Sequence, residues 1–159
     1  MSAAPQVADA GGVRIRTADV ADLDAIMAIE RASFAASAWE RDTMRAELGS
    51  EWGRYIIAVD NEGRSLGYAG LRAVGVEGDV QTIAVDAEAR GRGIGRALLA
   101  ELLAEAGRRG VRELFLEVRA DNPVARALYE SVGFREIGVR PRYYQPEDVD
   151  AVVMKREAS

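Results

Sequence analysis

The chain has 159 residues, enough for one domain with a sizeable core, and its net charge of −5 argues against non-specific nucleic-acid binding. No apolar run approaches the roughly 20 residues that a membrane helix needs. The absence of Cys and His excludes disulfides, thiolate catalysis and the usual general base, so any proton transfer must use a carboxylate, a tyrosine, an amine or water.

The predicted elements begin after a short tail. Residues 1–12 lack the basic region and the apolar core of a secretion signal, so they are predicted to be a flexible tail on a cytoplasmic protein. Residues 13–157 are predicted to form a single domain. It starts with the alternating strand VRIRTA and two helical stretches that end near residues 34 and 48. A hairpin follows, formed by RYIIAVD, a turn at residues 61–63 and SLGYAGLRAV.

The second half of the chain alternates strands and helices. The strand DVQTIAVD leads through a glycine- and arginine-rich segment into a helix over about residues 95–109. The apolar strand RELFLEVRA comes next, and then a short helix with Asn122 as its cap and Pro123 in its first turn. FREIGVRPRYY and DAVVMKR are the last two strands. This pattern predicts a mixed sheet with helices on both faces.

The segment before the long helix has the pattern Arg-x-x-Gly-x-Gly, formed by Arg90, Gly93 and Gly95. The dinucleotide fingerprint fails because Arg96 stands where its third glycine belongs, and the Walker pattern is absent. Glycines let backbone N–H groups approach an anion, the helix N-terminus adds partial positive charge, and the arginines add donors. The segment therefore predicts a pyrophosphate site, with a solvent-facing turn as the alternative.

Three segments resemble the GCN5-related N-acetyltransferase (GNAT) family: TIAVDAEARGRGIGRALL, LFLEVRADNPVARALYESVGF and VRPRYYQPEDVDAVVM. Within that family the chain looks like the ribosomal-protein alanine acetyltransferases of the RimI group, although Ala38 precedes Trp39 where that group often has a proline. The resemblance implies an α/β (mixed α+β) GNAT fold. That fold is a mostly antiparallel sheet of about seven strands, with a central parallel pair that splays apart and helices on both faces.

The resemblance also implies acetyl-CoA as the cosubstrate, and no metal. The pantetheine arm would pair with the backbone of residues 83–85, and the pyrophosphate would lie on residues 90–96. Asn122 would bind the arm or the adenylate side through its side chain, with a plain helix cap as the alternative. The implied acetyl-CoA residues are Ile83, Ala84, Val85, Arg90, Gly91, Arg92, Gly93, Ile94, Gly95, Arg96 and Asn122.

Two side chains are candidates for proton transfer. Glu117 lies in an otherwise apolar strand, where burial makes a carboxylate a better base, and the RimI-like enzymes use a glutamate at this place as proton acceptor. A structural ion pair with Arg119 or Arg72 is the alternative. Tyr129 carries a phenol that is protonated at neutral pH, and many members of the family have a tyrosine at the matching site that protonates the thiolate of coenzyme A. An ordinary packing tyrosine is the alternative.

The adjacent pair Tyr143 and Tyr144 resembles the tyrosines with which N-terminal acetyltransferases hold a peptide backbone. Neighbours on a strand point to opposite faces, so only one of the two is expected to line the groove. Aromatic side chains packed at the rim of the sheet are the alternative.

The predicted function is acetylation of the α-amino group of a small-subunit ribosomal protein that begins with alanine, by direct transfer with Glu117 as base and Tyr129 as acid. One alternative is an acetyltransferase for a small amine, such as a polyamine, an aminoglycoside or an amino acid. The other is a noncatalytic acetyl-CoA-binding module. The expected partner is the N-terminal peptide of the protein substrate, with no nucleic acid and no membrane. The chain is expected to be a monomer or a weak dimer.

Overall fold

The structure is a computed structural model that describes residues 7–10 and 12–158, with side chains from residue 12 onward. The strands are β1 (Val7–Ala10), β2 (Val13–Thr17), β3 (Gly53–Val59), β4 (Ser65–Val74), β5 (Glu77–Val85), β6 (Glu113–Arg119), β7 (Arg135–Tyr144) and β8 (Val149–Glu157). The helices are α1 (Leu23–Phe34), α2 (Arg41–Leu48), α3 (Ile94–Arg108) and α4 (Pro123–Ser131). None of these helices is long and apolar enough to cross a membrane.

The described strands form one eight-stranded sheet in the order β1-β2-β3-β4-β5-β6-β8-β7. It has one strand more than the seven expected, because β1 lies within the predicted tail and pairs antiparallel with β2. Residues 7–10 therefore belong to the sheet, which corrects the tail predicted over residues 1–12; residues 1–6 and 11 lie outside the described residues. The predicted mixed, mostly antiparallel sheet with one parallel pair is confirmed.

β5 and β6 form the parallel pair, and α3 is the crossover between them. Their pairing is limited to residues 77–79 opposite residues 113–115, so the two strands separate toward their C-terminal ends. β5 also shifts its register against β4, which leaves Gln81 as an extra residue in a bulge. The predicted splay is thus present, and the gap that it opens positions the candidate site.

Side-chain alternation along β3 divides the core into two layers. Ile56 and Ala58 pack on the side of α3 and α4, whereas Ile57 and Val59 pack on the side of α1 and α2. Leu98 of α3 is fully buried in the first layer. Burial of one such side chain contributes about 1.5–3 kcal/mol. Helices therefore cover both faces of the sheet, as predicted.

Candidate active site

Three neighbouring cavities follow the gap between β5 and β6. The loop cavity, about 750 Å³, is bounded by the start of α3, the end of β5 and α4. The central cavity, about 170 Å³, lies between β5 and β6. The hairpin cavity, about 750 Å³, is bounded by β6 and the β7–β8 hairpin. Tyr129 and Asn122 line the first two cavities, and Glu117 and Tyr144 line the last two, so each cavity adjoins the next.

The glycine- and arginine-rich segment forms one wall of the loop cavity. Gly91 and Gly93 have φ values of 79° and 78°, in the left-handed region that favours glycine. Chain neighbours aside, no described atom lies within 4 Å of the Cβ position at either residue, so the backbone is open there. No described side chain caps α3, and the N–H groups of its first turn have no partner within the helix. These groups form a cradle that fits a phosphate.

The structure brings most of the predicted acetyl-CoA residues together. The loop cavity is lined by Ile83, Ala84, Val85, Arg90, Gly91, Gly93, Gly95, Arg96 and Asn122. Nε of Arg90 donates to the carbonyl of Val85 at 3.3 Å, and Nη1 of Arg96 donates to a hydroxyl on α4 at 3.1 Å. Arg92 is exposed and does not line this cavity, and the side chain of Ile94 is buried in the core. Arg90 and Arg96 therefore add positive charge to the wall of this cavity, which Arg119 also lines.

Asn122 caps α4 and lines two cavities. Its Oδ1 accepts a hydrogen bond from the backbone N–H of Ala125 at 3.1 Å. The cap that the sequence predicts is therefore present. The cap uses the amide oxygen and leaves the side-chain NH₂ group, which can donate to a ligand in the loop or central cavity.

Glu117 lies on the side of β6 that faces the gap. Leu116 and Val118 are buried in the core, and the alternation of the strand turns Glu117 the other way. There its side chain is 26% exposed and lines both the central and the hairpin cavities. The Glu117 carboxylate therefore lies at the boundary between the central and the hairpin cavities.

The partner of Glu117 is a cation from another strand. Oε2 of Glu117 lies 2.6 Å from Nε of Arg140 in β7. The alternative ion pairs with Arg119 and Arg72 are wrong, because these arginines pair with other carboxylates. The side chain of Arg140 is 60% exposed, so solvent screens this pair and its contribution to stability is below about 1 kcal/mol.

Tyr129 projects from α4 and lines the loop and central cavities. Its ring packs edge-on against Phe134, with 6.0 Å between the centroids. Burial raises the pKa of Tyr129 to about 12, so the phenol is protonated at neutral pH, as a proton donor must be. The two candidates for proton transfer, Glu117 and Tyr129, therefore share the central cavity.

Tyr143 and Tyr144 both line the hairpin cavity, so the expectation that only one would do so is wrong. Between Arg140 and Tyr144, three residues of β7 stand opposite one of β8, and Arg142 has a φ of 53°. This bulge breaks the alternation of the strand and leaves the tyrosine ring centroids 5.1 Å apart. Tyr143 is 47% exposed, whereas burial and the charge of Glu117 raise the pKa of Tyr144 to about 12.

Glu30 also lines the central cavity and was not predicted. It lies on α1, one turn after Ile26 and Met27 and two turns after Leu23, on the face that packs on the sheet. A carboxylate at such a core-facing position of an amphipathic helix is the signal that would have found it. Arg140 was missed as well, and no local pattern marks it, because its partner lies on a different strand.

Comparisons with known proteins agree with this architecture. The acetyltransferase (GNAT) family model matches residues 23–134. An uncharacterized protein of Mycobacterium leprae is 42% identical over 98% of this chain, which spans 44% of that protein's length. The N-alpha-acetyltransferase RimI of Mycobacterium tuberculosis is 44% identical, with 76% of each protein covered. The ribosomal protein bS18-alanine N-acetyltransferase of Escherichia coli K12 is 38% identical over 88% of this chain and 94% of that protein.

A solved structure has the same fold. The crystal structure of the ribosomal-protein-S18-alanine N-acetyltransferase from Escherichia coli superposes with a TM-score of 0.85 and 36% identity, over 92% of this chain and 94% of that one. The family match includes the cradle, Glu117 and Tyr129. The predicted family is confirmed: the chain belongs to the acetyltransferase (GNAT) family and is similar to the RimI N-acetyltransferases.

Proposed function

We propose that this chain transfers an acetyl group from acetyl-CoA to the α-amino group of a small-subunit ribosomal protein that begins with alanine. The observation that carries the proposal is the central cavity, where Glu117 and Tyr129 lie between an anion cradle and a cavity walled by tyrosines. The name of the Escherichia coli relative supports a ribosomal protein that begins with alanine as the acceptor, and the name of the Mycobacterium tuberculosis relative supports the α-amino group.

The residues of the loop cavity fit acetyl-CoA, which supplies an activated acetyl thioester. The cradle of Gly91, Gly93 and the first turn of α3 would hold the pyrophosphate, with Arg90 and Arg96 adding positive charge. β6 does not pair with β5 beyond residue 79, so the backbone of residues 83–85 has no strand partner on that side, although Arg90 donates to the carbonyl of Val85. This backbone would hydrogen-bond the amide groups of the pantetheine arm.

Glu117 acts as the proton acceptor and Tyr129 as the proton donor. A peptide α-amine has a pKa of roughly 7.7–8.0, against about 10.4 for lysine, so it needs only modest help to become neutral. The Glu117 carboxylate accepts the amine proton, directly or through a water, while the nitrogen forms its bond to the acetyl carbon. Tyr129 Oη donates a proton to the sulfur as the carbon–sulfur bond breaks.

The hairpin cavity favours a peptide acceptor over a small amine. It is bounded by the exposed ring of Tyr143, so the later residues of a bound peptide can extend from the cavity into solvent. Asp79, Glu117 and Arg140 line it; Glu117 is already paired with Arg140, so Asp79 is the carboxylate that suits a positively charged terminus. A small amine would instead be expected to need a closed pocket.

The test of the proposed function is incubation with acetyl-CoA and hexapeptides that differ only in their first residue, with products identified by mass spectrometry. We expect transfer to peptides that begin with alanine or serine, and none to an N-terminally blocked alanine peptide that contains an internal lysine. Activity confined to free polyamines, aminoglycosides or amino acids would contradict the peptide acceptor. Binding of acetyl-CoA without transfer to any amine would favour a noncatalytic module.

The Glu117→Gln substitution tests the base. It keeps the size of the side chain and removes the proton acceptor, so we expect kcat on the alanine hexapeptide to fall about 10²–10⁴-fold. Affinity for acetyl-CoA, measured by calorimetry, should stay within about twofold of the parent. The matched control is Glu113→Gln on the same strand, where Glu113 pairs with Lys155 at 2.6 Å. An unchanged kcat in Glu117→Gln would rule out the base role.

A further inference from the structure

Glu30 is a buried carboxylate that the proposed chemistry does not use. It is 1% exposed, and among the described residues no cation forms an ion pair with it or shifts its pKa, which burial raises. Its Oε2 accepts the backbone N–H of Trp39 at 2.9 Å, and its Oε1 accepts the hydroxyl of Tyr68. A buried carboxylate without a cation is costly unless hydrogen bonds compensate it, so these two bonds define its environment.

The two partners belong to parts of the molecule with different roles. Tyr68 is fully buried in β4, in the middle of the sheet. Trp39 lies in the connection between α1 and α2, residues 35–40, and lines both the central and the hairpin cavities. Ser37 of the same connection also lines both cavities. Glu30 is thus a bridge from the rigid sheet to the backbone of a cavity wall.

The α1–α2 connection has few other polar ties to the rest of the molecule. The hydroxyl of Ser37 donates to the carbonyl of Gln145 at 3.4 Å, a long bond at an exposed site. Ala35 has a φ of 47°, a conformation that L residues rarely adopt, so the backbone is strained at the start of the connection. The bond from Trp39 to Glu30 is the shorter of the two ties and the less exposed one.

We infer that Glu30 is a positioning residue that holds the 35–40 connection in place as a wall of the acceptor site. The inference rests on the proposed function, since it assigns the wall to the acceptor amine and its chain. Glu30 acts through Trp39 and Tyr68 and takes no part in proton transfer. Its loss therefore weakens binding of the acceptor peptide and leaves the acetyl-CoA side of the gap intact.

The test compares Glu30→Leu with Glu30→Gln. Leucine has a similar volume but accepts no hydrogen bond, whereas the glutamine oxygen still accepts from the N–H of Trp39. We expect Glu30→Leu to raise the KM for the alanine hexapeptide about tenfold, because the released connection must be ordered again when the peptide binds. Its kcat and its affinity for acetyl-CoA should stay within about threefold of the parent, and Glu30→Gln should return KM to within about threefold.

A second measurement needs no acetyl transfer. In a Trp52→Phe background Trp39 is the single tryptophan, and acrylamide quenching of its fluorescence reports the exposure of the connection. We expect quenching to rise in Glu30→Leu. It should rise less in Tyr68→Phe, which removes only one of the two hydrogen bonds of Glu30. Tyr68→Phe also provides the test if Glu30→Leu does not fold.

The results separate this inference from the proposed function. Unchanged quenching and an unchanged peptide KM would overturn the positioning role. A loss of acetyl-CoA affinity equal to the loss of peptide affinity would also overturn it, because that pattern indicates general disruption. Increased quenching in a chain that acetylates no peptide would uphold the positioning of the connection and overturn the proposed acceptor.

Discussion

At the scale of the residue, Tyr129 shows how burial sets a protonation state. Burial raises the pKa of Tyr129 to about 12, so the phenol keeps its proton at the pH values where an α-amine becomes neutral. Tyr129→Phe keeps the ring and its contact with Phe134 and removes only the hydroxyl. We expect kcat on the alanine hexapeptide to fall about 10²–10⁴-fold at every pH from about 7 to about 10, measured at saturating acetyl-CoA.

The matched control for this variant is Tyr55→Phe. Tyr55 is buried on the side of α1 and α2, and its hydroxyl donates to Glu47, away from the central cavity. Its removal should leave kcat unchanged. An alkaline decline of the parent kcat near pH 9 that is absent from Tyr129→Phe would contradict the raised pKa of Tyr129.

At the scale of the element, Asn122 at the start of α4 caps the helix and also lines the cavity proposed to bind acetyl-CoA. Asn122→Ala removes the helix cap and should lower the free energy of unfolding by about 1 kcal/mol, measured by urea denaturation. Asn122→Asp keeps an oxygen for the N–H of Ala125 but loses the NH₂ donor and adds negative charge beside the loop cavity. It should keep its stability within about 0.5 kcal/mol and bind acetyl-CoA about tenfold more weakly.

The pair of variants separates the two roles of this side chain. If Asn122→Asp binds acetyl-CoA as tightly as the parent, Asn122 is a helix cap alone. Weaker binding by both variants, with a loss of stability in Asn122→Ala only, is the outcome that the geometry predicts.

At the scale of the whole molecule, phenols that are buried or partly buried on both faces of the sheet make the fold sensitive to alkali. Burial raises the pKa of Tyr55, Tyr68, Tyr129 and Tyr144. Below about pH 10 all four are protonated in both the folded and the unfolded chain. As the pH rises further, the unfolded chain loses phenol protons that the folded chain retains; Tyr129 and Tyr144, with a pKa of about 12, retain theirs up to about pH 12. Unfolding therefore becomes more favourable as the pH rises.

Urea denaturation from about pH 8 to about pH 11.5 tests this expectation. The free energy of unfolding should be nearly constant at first and then fall above about pH 10, by up to about 1.4 kcal/mol per pH unit for each phenol that ionises only on unfolding. Tyr129→Phe should make the decline less steep. A constant free energy of unfolding across the range would contradict the burial of these hydroxyls.

The sequence by itself determined the family and the described helices and strands other than β1, because their signals are local. The helix predicted over residues 95–109 is α3, Ile94–Arg108, since its apolar positions recur at helical spacing and glycine precedes it. The motifs around Glu117 and Tyr129 indicated the acetyltransferase family, which the comparisons confirm. The roles of the individual site residues stay predictions.

Only the tertiary structure decided which side chains meet. Glu117 pairs with Arg140 rather than with the arginines first considered, and Glu30 joins Tyr68 to the connection after α1. Tyr143 and Tyr144 share a cavity because of a bulge in β7 that no local sequence pattern predicts. These contacts depend on strand order, on the splay of β5 from β6 and on register. Such features arise between segments distant in the chain, whereas sequence periodicity reports only which face of its own element a residue occupies.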